Sequence, residues 1–206
     1  MKTQSLTDAD LQKYFESANF ETSATNLKQC PNDKSLEVAF AGRSNAGKSS
    51  AINCLCNKRK LARVSKTPGR TQLINFFSLR DKQRLVDLPG YGYAKVSLKK
   101  KLIWQEHLMT YLEQRQALQG LILVMDARHP LQPFDLSMLE WAEKYQLHCH
   151  ILLTKSDKLK RGAAKQTLMQ TKSACNDSST VSVQLFSSVN GEGLSTARNT
   201  IKSWLN

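Results

Sequence analysis

The sequence predicts an α/β fold on a mostly parallel sheet of about six strands, with one antiparallel edge strand and helices on both faces. Three observations predict it. Short runs rich in Val, Ile, Leu and Phe alternate with longer segments of helical periodicity. A glycine-bearing turn joins the first such run to the first helical segment. The second and third runs are linked by too few residues for a helical crossover, so they form a hairpin.

In chain order the expected strands are LEVAFA (36–41), TQLINFFSL (71–79), RLVDL (84–88), LILVMD (121–126), HILLT (150–154) and VSVQLFS (181–187). The expected helices are Lys48–Cys56, Leu98–Leu118, Phe134–Tyr145, Gly162–Ala174 and Gly193–Trp204. Strands separated by helices of this length form right-handed βαβ units, which make a sheet parallel and bury both faces. Within Leu98–Leu118, Trp104, Leu108, Tyr111 and Leu112 keep helical spacing and read as core. Residues 1–33 are polar and read as an extension loosely attached to a domain of residues 34–206.

The chain has 206 residues, about one domain by the usual prior of roughly 150 residues each. Its 40% hydrophobic and 23% charged content excludes wholesale disorder. The strongest apolar run, Leu121–Met125, is far short of the roughly 20 residues of a membrane span. The N-terminus lacks the apolar region of a secretory signal. Cys30, Cys54, Cys56, Cys149 and Cys175 are odd in number and lack metal-type spacing, which fits reduced thiols in the cytoplasm.

Charge narrows the function. The net charge is +13, and residues 38–101 hold 15 basic side chains against two acidic ones, Asp81 and Asp87. The rest of the chain is balanced. A basic excess this local implies a polyanionic partner.

Chemistry concentrates in a few short motifs. Gly42, Arg43, Ser44, Asn45, Ala46, Gly47, Lys48, Ser49 and Ser50 fit GxxxxGK[ST] between a strand and a helix. Such a loop turns its N–H groups toward phosphate oxygens, with Lys48 on the β and γ phosphates and the Ser49 hydroxyl on Mg²⁺. Asp87, Leu88, Pro89 and Gly90 close the third strand, where a carboxylate holds Mg²⁺ through water and a glycine N–H meets the γ-phosphate. Thr154, Lys155, Ser156 and Asp157 end the next-to-last strand. There the Asp157 carboxylate can accept from guanine N1–H and the 2-amino group, and Lys155 can lie along the purine. Phe186, Ser187 and Ser188 end the last strand and offer a backbone N–H to guanine O6.

These motifs, with KTPGRTQ from Lys66, resemble in order and spacing the translation-factor-like P-loop GTPases, and most closely the bacterial EngB (YihA/YsxC) family of ribosome-assembly GTPases. The resemblance covers about residues 34–206. It implies a Ras-like sheet, GTP and GDP as ligands with Mg²⁺, and a monomeric cytoplasmic switch in the maturation of the large ribosomal subunit. Position by position it implies that Gly69 and Thr71 lie at the nucleotide, with Thr71 joining Ser49 and Asp87 around Mg²⁺, and that Gly90 is the switch II glycine. Lys48, Asn45, Thr71 and Gly90 would then serve hydrolysis.

Two positions depart from the general GTPase pattern. Thr154 replaces the frequent Asn, which puts its link to the P-loop in question. Tyr91 replaces the glutamine that positions water, so unaided hydrolysis should be slow. Asn45 either holds K⁺ beside the phosphates or simply tolerates the loop's backbone. Lys58, Arg59, Lys60, Arg63, Lys66 and Arg70 fall in switch I of the resemblance, and Lys95, Lys99, Lys100 and Lys101 in or after switch II. That placement predicts rRNA binding coupled to nucleotide state, and the lack of a lipidation motif or amphipathic basic helix weighs against a membrane partner. An RNA-binding module with a vestigial nucleotide site is the alternative.

Overall fold

The computed structural model describes residues 7–32, 34–63, 73–91, 106, 108–175 and 178–206. Seven strands are β1 (Asn19–Ala24), β2 (Leu36–Gly42), β3 (Ile74–Ser78), β4 (Gln83–Asp87), β5 (Leu118–Asp126), β6 (His148–Thr154) and β7 (Val181–Leu185). They form one sheet in the order β1-β3-β4-β2-β5-β6-β7. The helices are α1 (Asp8–Glu16), α2 (Lys48–Leu55), α3 (residues 108–114), α4 (Pro133–Lys144), α5 (Arg161–Ser173) and α6 (Leu194–Trp204).

Alternation along the central strand assigns the two faces. Val38 and Phe40 of β2 pack with Phe15, Ile52, Leu55 and Ile201, so α1, α2 and α6 cover one side. Ala39 and Ala41 point the other way, to Tyr111, Leu112, Met138 and Trp141 of α3 and α4. Because both faces are covered, β2 and β5 read as continuous apolar runs. Each fully buried Leu, Ile or Phe contributes about 1.5–3 kcal/mol. Truncating Ile52 to Ala should cost about 2–5 kcal/mol, since the two helices and sheet around it cannot collapse into the space.

The sheet departs from expectation at its N-terminal edge. Residues 8–24 are not loosely attached: Leu11 and Phe15 are buried, and β1 pairs antiparallel with β3. Among the described residues the sheet therefore has seven strands, and its antiparallel member β3 lies second from the edge. Local chemistry begins this segment. The Thr7 hydroxyl accepts from the Asp10 amide at 3.2 Å while Asp10 accepts from the Thr7 amide at 3.2 Å, a capping box that satisfies two otherwise orphan donors. Leu11, Tyr14, Phe15 and Ala18 then form one buried face.

A buried ion cluster fastens the opposite end of the central strand from the nucleotide motifs. Glu37, fully buried, accepts from Arg115 at 2.6 and 2.8 Å and from the Tyr111 hydroxyl at 3.0 Å. Arg84 reaches the same carboxylate at 3.5 Å and pairs with Glu21 of β1 at 2.7 Å. Paired and hydrogen-bonded, the charges are tolerable; removing one partner strands the other. The turn that carries Arg115 to Glu37 also ends α3, so Leu118, expected in a helix, begins β5. Of that expected helix, residues 98–105 and 107 lie outside the described residues.

Candidate nucleotide-binding site

Five parallel strands bring their C-terminal ends to one edge of the sheet. That edge collects the loop after β2, Asp87 of β4, Asp126 of β5, the Thr154–Asp157 turn after β6 and the Phe186–Ser188 segment after β7. In open α/β sheets this is the ligand edge.

The phosphate end is built by the 42–49 loop. A Cβ on Gly42 would meet the Val124 carbonyl oxygen at 2.6 Å, so only glycine lets β2 lie this close to β5. Gly47, at φ +99°, turns the chain into α2 and exposes that helix's first N–H groups. The Ser44 amide donates to Tyr91 O at 2.7 Å, tying the loop to the residue that follows Gly90. Lys48 pairs directly with Asp87, both side chains 10% exposed. Ser49 and Asp87 thus stand on adjoining segments, a hydroxyl and a carboxylate. Such hard oxygen donors fit Mg²⁺, which keeps waters and phosphate oxygens in its shell. Thr71 and Gly69 lie outside the described residues, as do Lys66, Arg70, Lys95, Lys99, Lys100 and Lys101.

Asn45 is exposed and adopts φ +64°. Asparagine enters this left-handed region more readily than most residues. Its carbonyl accepts from Lys155 Nζ at 2.6 Å, and Lys155 also reaches Asp126 at 2.9 Å. Burial pushes the Asp126 carboxyl up, but hydrogen bonds from Arg128 and Lys155 outweigh it and hold the group well below the usual range. Asp126 escaped the sequence reading because no motif marks it.

Thr154 does make the link that its departure from Asn put in question. Its hydroxyl bonds the Ala46 carbonyl in the phosphate loop and lies 3.0 Å from Met125 O. One O–H serves two acceptors there, where an amide would bring two hydrogens.

At the base end, the Ser187 hydroxyl donates to Asp157 at 2.7 Å and lowers that carboxyl's pKa. Ser187 Oγ in turn accepts from the Val189 amide at 3.1 Å. Ser187's own amide is committed to Glu192 O at 3.0 Å. Phe186 is fully buried, and its carbonyl accepts from the Ser156 amide at 3.3 Å and lies 3.0 Å from the Ser156 hydroxyl oxygen. Ser188 is exposed.

Tyr91 points away from the phosphate loop. Its ring is buried against Phe134, centroids 4.2 Å apart, and its hydroxyl donates to Asp135 on α4. Burial and the neighbouring Asp135 push the phenol's pKa up, while burial raises that of Asp135, so the proton stays on oxygen and bridges them. The sequence reading excluded a glutamine-like role here. The geometry supplies a structural one.

α2 starts at the phosphate loop and runs about 12 Å down the sheet, which places Lys58–Arg63 at the opposite end. Lys58 bonds the Ala18 carbonyl, and Asn53 clamps Ala62 through bonds of 2.9 and 2.8 Å. Lys58 is thus an anchor for the N-terminal segment, and Arg84 is paired with Glu21 and Glu37. Arg59, Lys60 and Arg63 are exposed. They stand on a turn that Asn53 joins to α2, and the rest of the expected switch I, residues 64 to 71, lies outside the described residues. Among the described residues no helix is long and apolar enough to cross a membrane, and no group of three His, Cys, Asp or Glu side chains forms a metal cluster.

Solved structures match this arrangement. A probable GTP-binding protein EngB is 20% identical, with TM-score 0.67, covering 82% of this chain and 98% of that one. Era in complex with MgGDPNP and part of 16S ribosomal RNA is 19% identical, with TM-score 0.62, over 84% of this chain and 57% of Era. The G domain of the T. maritima FeoB iron transporter is 27% identical, with TM-score 0.56, over 83% and 99%. The sheet, its edge and its helices are those of a Ras-like GTPase. A family model described as 50S ribosome-binding GTPase matches residues 37–155, more than half of the chain and the stretch that holds the phosphate loop, Asp87 and Thr154. The chain belongs to that family of P-loop GTPases, which bind GTP and GDP with Mg²⁺ and hydrolyse GTP.

Proposed function

We propose that the protein is an EngB-type GTPase that acts as a monomer in the cytoplasm and binds rRNA during assembly of the large ribosomal subunit. The observation that carries the nucleotide part is the meeting, at one sheet edge, of the Lys48 loop, Asp87 and the Asp157–Ser187 pair. Asp157 reads guanine N1–H and the 2-amino group, and the Ser188 amide meets O6, because the Ser187 amide is already used. Ser49, Thr71 and Asp87 hold Mg²⁺, which supplies charge neutralisation at the phosphates.

The ribosomal part is supported by the family description, by the rRNA bound to Era and by the exposed Arg59, Lys60 and Arg63. Co-sedimentation with purified large subunits tests it. Binding stronger with a non-hydrolysable GTP analogue than with GDP is expected, and no binding in either state would overturn it. Since Arg59, Lys60 and Arg63 stand on a pinned turn, neutralising all three should weaken binding equally in both states. The slope of log affinity against log salt should become shallower by up to roughly 3 units. Nucleotide dependence then falls to Lys66, Arg70 and the basic residues after Tyr91.

With Tyr91 turned into the core, single-turnover hydrolysis should be slow, on the order of 10⁻⁴ to 10⁻² per second. If Asn45 holds K⁺, exchanging Na⁺ for K⁺ accelerates it and Asn45→Ala removes the gain. Equal rates in both salts leave Asn45 a backbone role alone.

A further inference from the structure

Asp157 can discriminate between bases only if its carboxylate is fixed relative to the purine plane. Its neighbours come from two loops that are 30 residues apart in sequence, and the geometry shows what joins them. Ser187 holds Asp157 from the second loop at 2.7 Å. The joint between the loops is completed by Glu192, outside every motif. Its carboxylate accepts from the Ser156 hydroxyl at 2.5 Å, and its carbonyl accepts from the Ser187 amide at 3.0 Å. Its own amide donates to Asn190 Oδ1 at 3.0 Å, and Gly191 N returns to Ser187 O at 3.0 Å, so residues 187–192 form a closed turn. One residue therefore grips the neighbour of Asp157 with its side chain and the partner of Asp157 with its backbone.

The carboxylate bond is the stronger of the two that compete for Ser156. A hydroxyl has one hydrogen, and an ionised acceptor at 2.5 Å takes it in preference to the Phe186 carbonyl at 3.0 Å. Phe186 O already receives the Ser156 amide. Ser156 is buried, so a hydroxyl without this acceptor must turn to Phe186 O and release the turn.

We propose that Glu192 is a positioning residue that sets guanine selectivity: it latches the Ser156–Asp157 turn to the Ser187–Ser188 turn, and so aims the Asp157 carboxylate at the guanine 2-amino group. The inference rests on the reading of Asp157 as the guanine-binding carboxylate. It differs from a stabilising contact in what it predicts. Inosine diphosphate lacks the 2-amino group but keeps N1–H and O6. Loss of aim at Asp157 must therefore cost GDP more than IDP, whereas a general loosening of the fold costs both alike.

The experiment is a competition titration of fluorescent GDP with GDP, IDP and xanthosine diphosphate, on the full chain and on Glu192→Ala, Glu192→Gln, Ser156→Ala and Asp157→Asn. Glu192→Ala should weaken GDP by about 3- to 30-fold, at or below the loss of one hydrogen bond to a charged group because Glu192 acts through Asp157, and narrow the GDP/IDP ratio. Glu192→Gln keeps an acceptor oxygen and should restore the ratio. Ser156→Ala cuts the same bond from the other side, should narrow the ratio likewise, and serves if Glu192→Ala fails to fold. An unchanged ratio in the folded Glu192 and Ser156 variants, whether or not affinity falls, overturns the latch. Asp157→Asn tests the reading beneath it separately. If that variant gains no xanthosine diphosphate affinity, the base-site assignment fails whatever Glu192 does.

Discussion

The two ends of the nucleotide site are built differently. At the base end, Asp157, Ser187, Ser156, Phe186 and Glu192 are bonded to one another across two loops. At the phosphate end, the principal charged contact is the ion pair of Lys48 with Asp87. The first arrangement is complete before ligand arrives, so binding pays little to order it. On the proposed function the second must open, because phosphates and Mg²⁺ would compete for its two members. Selectivity is thus stored at the rigid end and responsiveness at the end that rearranges.

Truncating the phosphate end should produce the largest loss. Lys48→Ala removes the phosphate ligand and strands Asp87, and calorimetric titration should show GDP affinity lower by about 2–5 kcal/mol. A loss below 1 kcal/mol would mean the pair is not part of the site. Asp157→Ala should cost on the order of 2–4 kcal/mol toward GDP with little change in thermal stability, because its carboxylate lies at the ligand edge. Equal affinity for GDP before and after would remove Asp157 from the base site.

Tyr91 sharpens the contrast from the structural side. Tyr91→Phe keeps the ring against Phe134 but leaves Oδ1 of the buried Asp135 without the phenol, while Oδ2 still accepts from the Gln132 amide at 3.0 Å. Denaturant unfolding should show about 1–3 kcal/mol lost, while hydrolysis per bound GTP stays nearly constant. Unchanged stability with hydrolysis abolished would return the hydroxyl to the chemistry.

The smallest effect concerns pH. His150 on β6 is buried between Ser182 at 2.6 Å and Gln184 at 2.9 Å, and burial lowers its pKa despite the Gln184 bond. The unfolded chain therefore takes up the proton first. Stability from this group is complete above about pH 6.5, the ordinary histidine value, and declines as pH falls through and below it. Thermal melts at pH 7.5 and 5.5 should differ by less in His150→Gln than in the parent chain. An equal or larger difference in the variant would contradict the assignment.

The sequence was most informative where one residue type had one possible job. The strand-to-helix turn at Gly47 and Lys48 and the placement of Asp157 at the sheet edge are legible because few residue types suit such turns, and β2, β5 and β6 because strands buried on both faces must be apolar. Less legible were contacts between distant segments. Leu11, Tyr14, Phe15 and Ala18 follow helical spacing behind a Thr7–Asp10 cap, a signal that was present but hidden in a polar segment. For β1 no such signal exists, since its place depends on β3 and on the Glu21–Arg84 pair. Within the local basic excess, Lys58 and Arg84 likewise find their partners only in the fold. Glu192 and Asp126 lie outside any motif and became visible through their hydrogen bonds.

The central claim is that this edge of the sheet reads guanine through Asp157. Its most direct test is competition of GDP, ADP and xanthosine diphosphate for fluorescent GDP on the parent chain and on Asp157→Asn. The parent should prefer GDP strongly over both others, and the variant should lose GDP and gain xanthosine diphosphate, whose C2 carbonyl the new amide can meet. A parent that binds ADP as well as GDP, or a variant with the parent's preference, would contradict it.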